Sequence, residues 1–210
     1  LVMGIKRGLY SNEAGVGSAP NAAAAATTTH PVKQGLVQML SVYIDTVILC
    51  NATAFMCLVS GVPGNADNAG ALWVQTSLHK VLGDFGPLFI TVSMLVFSFT
   101  TLIGNIYYCE NGLAYLNHKR IPSRGFMKGF HLYAILVVFL GAIIPMAAAW
   151  DLADIMMGGM TLINLTACVL LGGVVVRAYE DYKKQKTAGL DPQFKGTSIG
   201  LKPEELDFWK

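Results

Sequence analysis

The sequence predicts an all-helical integral membrane protein, on three observations. Of its 210 residues, 53% are apolar and only 13% are charged, about half the charge of an ordinary soluble domain at roughly 25%. Four apolar stretches are each long enough to cross a bilayer, whose core of about 30 Å takes roughly 20 helical residues. Lys and Arg gather in alternate connections between those stretches, the bias expected of a multi-pass chain.

The spans follow in order. The first covers residues 32–60, between Pro31 and the turn-forming GVPGNADNAG. The others cover 87–116, 129–148 and 152–176. Between the first two, ALWVQTSLHKVL (residues 71–82) carries Leu72, Val74, Leu78, Val81 and Leu82 largely along one helical stripe. It is too short to cross and is expected as an amphipathic helix at the extracellular surface. Residues 179–210 are charged and rich in turns, and are expected as an aqueous tail.

Lys119, Arg120, Arg124 and Lys128 lie between the second and third spans, and Arg177, Lys183, Lys184 and Lys186 follow the fourth. These segments are therefore expected to be cytoplasmic, in a multi-pass protein of the plasma membrane. Four spans return the chain to its starting side, so Lys33 is cytoplasmic too. The chain opens on Leu1 with nothing resembling a signal peptide, and reads as the later part of something longer.

Several function classes drop out. A net charge of +2 without a dense basic patch offers little to nucleic acid. No GxSxG, HExxH or P-loop is present, so no enzyme is predicted. Cys50, Cys57, Cys109 and Cys168 lack metal or redox spacing and read as reduced packing residues; no cofactor is called for. His30, His79, His118 and His131 sit near span ends and read as interfacial.

The opening residues 1–30 are the most informative. Gly15 and Gly17 disfavour a regular helix, whereas Ser18 can cap one, with Pro20 in its first turn and Ala22 to Ala26 propagating it. The helix must stop before Pro31, which gives a half-helix over residues 18–29 of about 18 Å. Tied to the cytoplasmic start of the first span, it would end near the bilayer midplane. Broken helices there are how secondary transporters build ion and substrate sites. The alternative is a cytoplasmic loop followed by an amphipathic helix, although the alanine run lacks a strong polar face.

The strings GIKRGLYSNEAGVGSAPNAAAAA (4–26), HPVKQGLVQMLSVYIDTVILC (30–50), FSFTTLIGNIYYCENGL (97–113) and the ending GLDPQF…GLKPEELDFWK resemble the sodium:alanine (or glycine) symporter family. The resemblance covers nearly the whole chain. It implies a leucine-transporter-like bundle of two inverted repeats, of which this chain supplies the second half, the N-terminal half being absent. It also implies import of a small neutral amino acid, alanine or glycine, with sodium as the coupling ion, by alternating access in the lipid bilayer. A non-transporting membrane scaffold or partner subunit is the alternative from another class; a proton-coupled transporter of the same fold is a narrower variant.

By the same resemblance Ser11, Asn12, Glu13, Ala14 and Gly15 line the substrate pocket. Glu13 is either a cation-linked carboxylate or a structural acid of the unwound turn. Thr100 and Thr101 either bond back to the preceding turn or, as the resemblance implies, supply hydroxyls to sodium, with Thr101 also at the pocket. Asn105, one turn on, shares that face, where family members often carry Trp. Lys6 and Arg7 are expected to pair with acids just outward of the site. Asp45, deep in the first span, reads first as a structural residue, the alternative being a gating or ion-pair group that is protonated, paired or part of an ion path. Glu110 reads as an anchor reaching Lys119 or water, and Asp151 and Asp154 as helix N-terminal acids.

Overall fold

The computed structural model describes residues 4, 5, 8, 13, 15–65, 69–117, 120–206, 208 and 209, and no strand occurs among them. The elements are α1 (Ser18–Ala24), α2 (Pro31–Val59), α3 (Ala71–Leu82), α4 (Phe85–Leu116), α5 (Arg124–Ile143) and α6 (Met146–Thr187). Two 3₁₀ turns follow, Gly196–Ile199 and Pro203–Glu205. Helices α2, α4, α5 and α6 are long and apolar enough to cross a membrane. The protein is an all-helical membrane protein on these grounds.

Burial agrees with that class. Among the described residues only Val16, Cys57, Leu78, Ala178, Tyr182 and Ile199 form a buried hydrophobic core, while the apolar side chains of the four long helices are largely exposed. Surface of that character is compatible with hydrocarbon or with further protein, not with water. The four thiols are free, and only Cys57 packs inside the chain; Cys50, Cys109 and Cys168 are exposed, contrary to their reading as packing residues.

Helix boundaries differ from the expected ones for local reasons. The third span begins at Arg124 rather than 129, because Ser123 accepts a hydrogen bond from the Phe126 amide at 3.4 Å as an N-terminal cap. It ends at Ile143 rather than 148, because the residue before Pro145 is held out of the helical region. The next helix then starts at Met146, so Asp151 and Asp154 lie beyond the first turn, outside the reach of its terminal dipole. That helix also runs on to Thr187, with Lys184 and Lys186 in its last turn, where cations suit the carbonyl end. Between Asp154 and Arg177 it carries 22 uncharged residues, about 33 Å of helix and close to one bilayer core.

The chain divides into two compact units, Tyr43–Leu140 on one hand and Leu1–Val42 with Gly141–Lys210 on the other. In the first, α3 packs on the start of α4. Ser60 donates to the Cys57 carbonyl at 2.6 Å to end α2, and the Trp73 indole donates to the Val62 carbonyl at 2.9 Å, which ties the following loop to α3. Gly86 is buried where the two helices meet. A Cβ there would lie 2.6 Å from the Leu78 carbonyl carbon, a backbone atom that cannot swing away. Gly86→Ala is expected to destabilise the protein by about 1–3 kcal/mol, as overpacking does. Thermal unfolding in detergent would read this as a lowered midpoint; an unchanged midpoint would mean that the helices do not approach so closely.

Candidate functional site

The second unit holds the interrupted helix. Glu13 adopts φ 51° and Gly17 φ 100°, so two residues of the left-handed region lie within five positions; residues 4, 5 and 8 before them are helical, and regular helix resumes at Ser18. The cap is Gly17, not Ser18 as expected, because glycine takes a left-handed φ without a Cβ penalty. Ser18 falls inside the first turn, and no side chain caps it. Gly15 and Val16 are buried while Glu13 is exposed.

The half-helix is shorter than expected, Ser18–Ala24 in place of 18–29, and spans about 10 Å. Ala25 and Ala26 tighten onto Ala22 and Ala23 with 3.2 and 3.1 Å bonds. Thr28 and Thr29 then leave the helix because their groups bond elsewhere. The Thr28 hydroxyl donates to the His30 carbonyl at 3.2 Å, the Thr29 hydroxyl to the Pro192 carbonyl at 3.0 Å, and the Phe194 amide donates to the Thr29 carbonyl at 2.9 Å.

What holds the unwound turn comes from α6. The Asn164 side chain donates from Nδ2 to the Gly15 carbonyl at 2.9 Å. Gly17 also lies against Asn164, so closely that a Cβ on Gly17 would sit 3.0 Å from its Cγ and Oδ1. Asn164 falls near the middle of the uncharged run between Asp154 and Arg177. One turn earlier Thr161 is buried, and its hydroxyl has no partner among the described residues. Sequence reasoning passed over both residues, although polar side chains inside an apolar span were a signal that could have found them.

The other candidate residues stand as follows. Arg7, Ser11, Asn12 and Ala14 lie outside the described residues, as do Lys6, His118 and Lys119. Thr100 bonds back to the Val96 and Phe97 carbonyls at 3.1 and 3.0 Å, and Thr101 and Asn105 are exposed on the same helix, all in the unit Tyr43–Leu140. Asp45 is half-buried in a π-helical stretch of α2, Ile44–Cys50. Such stretches shift the helical register and often occur at functional positions. Here the Asn51 and Thr53 side chains bond back to the Val47 and Leu49 carbonyls, each at 3.0 Å. Glu110 pairs with His131 at 2.6 Å, a partner other than the Lys119 or water expected of it.

At the joint between α1 and α2, Asp181 and Tyr182 of α6 and residues 191–194 beyond it meet Thr29, His30 and Lys33. His30 is completely buried rather than interfacial, with Tyr182 and Phe194 meeting its ring edge to face at 5.2 and 5.0 Å. Its Nδ1 accepts from the Val32 amide at 3.2 Å, which leaves Nε2 to donate toward Asp181 at 3.4 Å. Lys33 bonds Asp191 at 2.5 Å and the Thr29 hydroxyl at 2.7 Å. Trp209 closes a cleft of about 320 Å³ against Pro20, Ala23, Ala24, Pro31 and Gly35. Burial pushes the His30 imidazole below its ordinary value, against the opposing pull of Asp181.

Comparison with known proteins gives a consistent result. The profile of the sodium:alanine symporter family matches residues 1–196. The amino-acid carrier protein AlsT of Bacillus subtilis is 42% identical over 98% of this chain and 43% of its own length. The probable sodium/glutamine symporter GlnT of the same organism is 42% identical over 92% of this chain and 40% of its own. The sodium/alanine symporter AgcS of Methanococcus maripaludis is 36% identical over 89% of this chain and 41% of its own. The chain thus spans less than half the length of each of these relatives. No solved structure matches it.

Proposed function

Because this chain belongs to the sodium:alanine symporter family, a family of transporters and not of enzymes, we propose that it forms the C-terminal half of a sodium-coupled symporter that imports alanine or glycine by alternating access. The observation that carries the reading is the buried, unwound turn around Gly15, bonded to Asn164 near the middle of the uncharged run of α6, which in this proposal lies at mid-membrane depth. Irregular backbone at that depth belongs where it lines a cavity, and broken helices there hold ions and substrates. In this proposal Ser11, Asn12, Glu13, Ala14 and Gly15 meet the amino acid, Thr100 and Thr101 offer hydroxyls to sodium, and Thr101 and Asn105 shape the pocket. Arg7 and Asp45 serve as ion-pair or gating residues. The bundle is of the leucine-transporter type, in the plasma membrane, with residues 179–210 on the cytoplasmic side.

A relative named for glutamine is as similar as one named an amino-acid carrier, so the substrate test has to include glutamine. A further relative, 41% identical, is named a putative sodium/proton-dependent alanine carrier, which supports keeping proton coupling as a second reading. The full-length transporter that carries this sequence is expected to accumulate labelled alanine or glycine in proteoliposomes under an inward sodium gradient, and not with potassium in its place. Accumulation of glutamine alone would move the substrate, and accumulation under a proton gradient alone would move the ion. No accumulation under any gradient would leave a membrane scaffold as the better reading.

A further inference from the structure

We propose that Asn164 is a positioning residue of the transport site: from the middle of α6 it sets the direction of the Gly15 carbonyl, and with it the backbone that the amino acid meets. The inference rests on the transport reading above and extends it to a helix that supplies no residue to the pocket as described.

Three observations carry it. Interrupting a helix leaves carbonyls before the break and amides after it without their intrahelical partners, and at this depth there is no bulk water to replace them. Asn164 answers that need at one atom, through its 2.9 Å bond to the Gly15 carbonyl. Among the described residues it makes the one side-chain hydrogen bond to residues 13 and 15–17. The carboxamide is also wedged, because Gly17 approaches its Cβ, Cγ and Oδ1 closely enough that an added Cβ would stand 3.0–3.2 Å from them. A rigid donor pressed against one glycine and bonded to another leaves the turn little freedom.

The third observation is what the turn itself lacks. Glu13 and Gly17 both sit in the left-handed region, and the helix that follows has no side-chain cap, so local interactions do little to choose among turn conformations. Thr161, one turn before Asn164 on the same stripe of α6, is buried without making a bond to the segment among the described residues. Its presence shows that a polar group on this stripe is not enough; the amide donor of Asn164 is what reaches the carbonyl.

The test uses the full-length transporter in proteoliposomes and compares Asn164→Asp with Asn164→Ala, with Thr166→Ala as a control. Thr166 bonds back to the Leu162 carbonyl at 2.8 Å within its own helix and is exposed. An aspartate keeps the shape of asparagine, and its carboxyl donates to the Gly15 carbonyl only when protonated. Asn164→Asp is therefore expected to raise the half-saturating amino-acid concentration at least tenfold at high pH, and to recover most of that loss as the pH is lowered, relative to wild type at each pH. Asn164→Ala is expected to show the loss without the recovery, and Thr166→Ala neither. A merely structural asparagine would not produce a pH-dependent rescue confined to the aspartate. If Asn164→Ala fails to fold, Asn164→Asp alone decides by its pH profile. Wild-type uptake with an Asn164→Asp curve that does not move, or that does not recover, overturns the inference and leaves transport standing. Silence of the wild type under every gradient overturns both.

Discussion

Gly17→Val is expected to abolish amino-acid uptake and to destabilise the full-length protein by about 2–5 kcal/mol. Two independent effects add. The native φ of 100° lies where an L-residue is disfavoured, by roughly 1–2 kcal/mol before any branching at Cβ is counted. A side chain at residue 17 also meets Asn164 at 3.0 Å, and overpacking typically costs about 1–3 kcal/mol. The two effects separate experimentally. Gly17→Ala in an Asn164→Ala background relieves the contact but keeps the backbone strain, so the double variant should be less destabilised than the sum of the single ones. Thermal unfolding measures the stability and proteoliposome uptake the function. A Gly17→Val protein that melts with the wild type and transports normally would show that the turn is not left-handed at this residue.

Removal of residues 191–210 is expected to have an effect of similar size, about 3–5 kcal/mol. The truncation takes away the Lys33 to Asp191 ion pair, the bonds from Thr29 to Pro192 and from Phe194 to Thr29, and the ring of Phe194 against His30. The hydrogen bonds contribute about 1 kcal/mol each, the exposed ion pair less, and the aromatic contact about 0.5–1.5 kcal/mol beyond its burial. A lowered unfolding midpoint and faster proteolysis between α1 and α2 are the expected readouts. An unchanged midpoint would mean that the tail does not dock.

The same joint should respond to pH. The folded-state value of His30 lies below the unfolded one, near 6.5, so the unfolded chain binds more protons in that window and stability rises with pH there. The contribution is complete above about pH 6.5 and is lost as the pH falls below it. Protonation of Nδ1 would also end its acceptance from the Val32 amide. Asp181 faces the ring from α6, Tyr182 and Phe194 flank it, and Lys33 and Asp191 lie beside the joint. His30→Phe keeps a ring between its two aromatic neighbours and should flatten this dependence in melting curves between pH 5 and 8. A slope that persists in His30→Phe would assign it to another group.

Much of the architecture was legible because it depends on composition over windows or on local backbone preference. Four runs of apolar residues are enough to specify four membrane-length helices, since a bilayer demands length and hydrophobicity and little else. The break before Ser18 was legible from Gly15 and Gly17, because glycine releases the backbone wherever it stands. The amphipathic stripe of residues 71–82 appears as a helix with those same bounds. Boundaries were less legible. The half-helix ended five residues early, since Thr28 and Thr29 found partners that no helical propensity describes.

The sequence by itself therefore determined the class, the number of spans and the place where the helix breaks. Only the tertiary structure decided that Asn164 holds Gly15, that His30 is buried against Tyr182 and Phe194, and that the last residues grip the start of α2 by way of Thr29 and Lys33. The reason is separation along the chain. Gly15 and Asn164 are 149 residues apart, and Thr29 and Pro192 are 163 apart. Residues so distant are brought together only by the tertiary fold, and no local pattern of apolar and polar residues records which carbonyl a buried amide will reach.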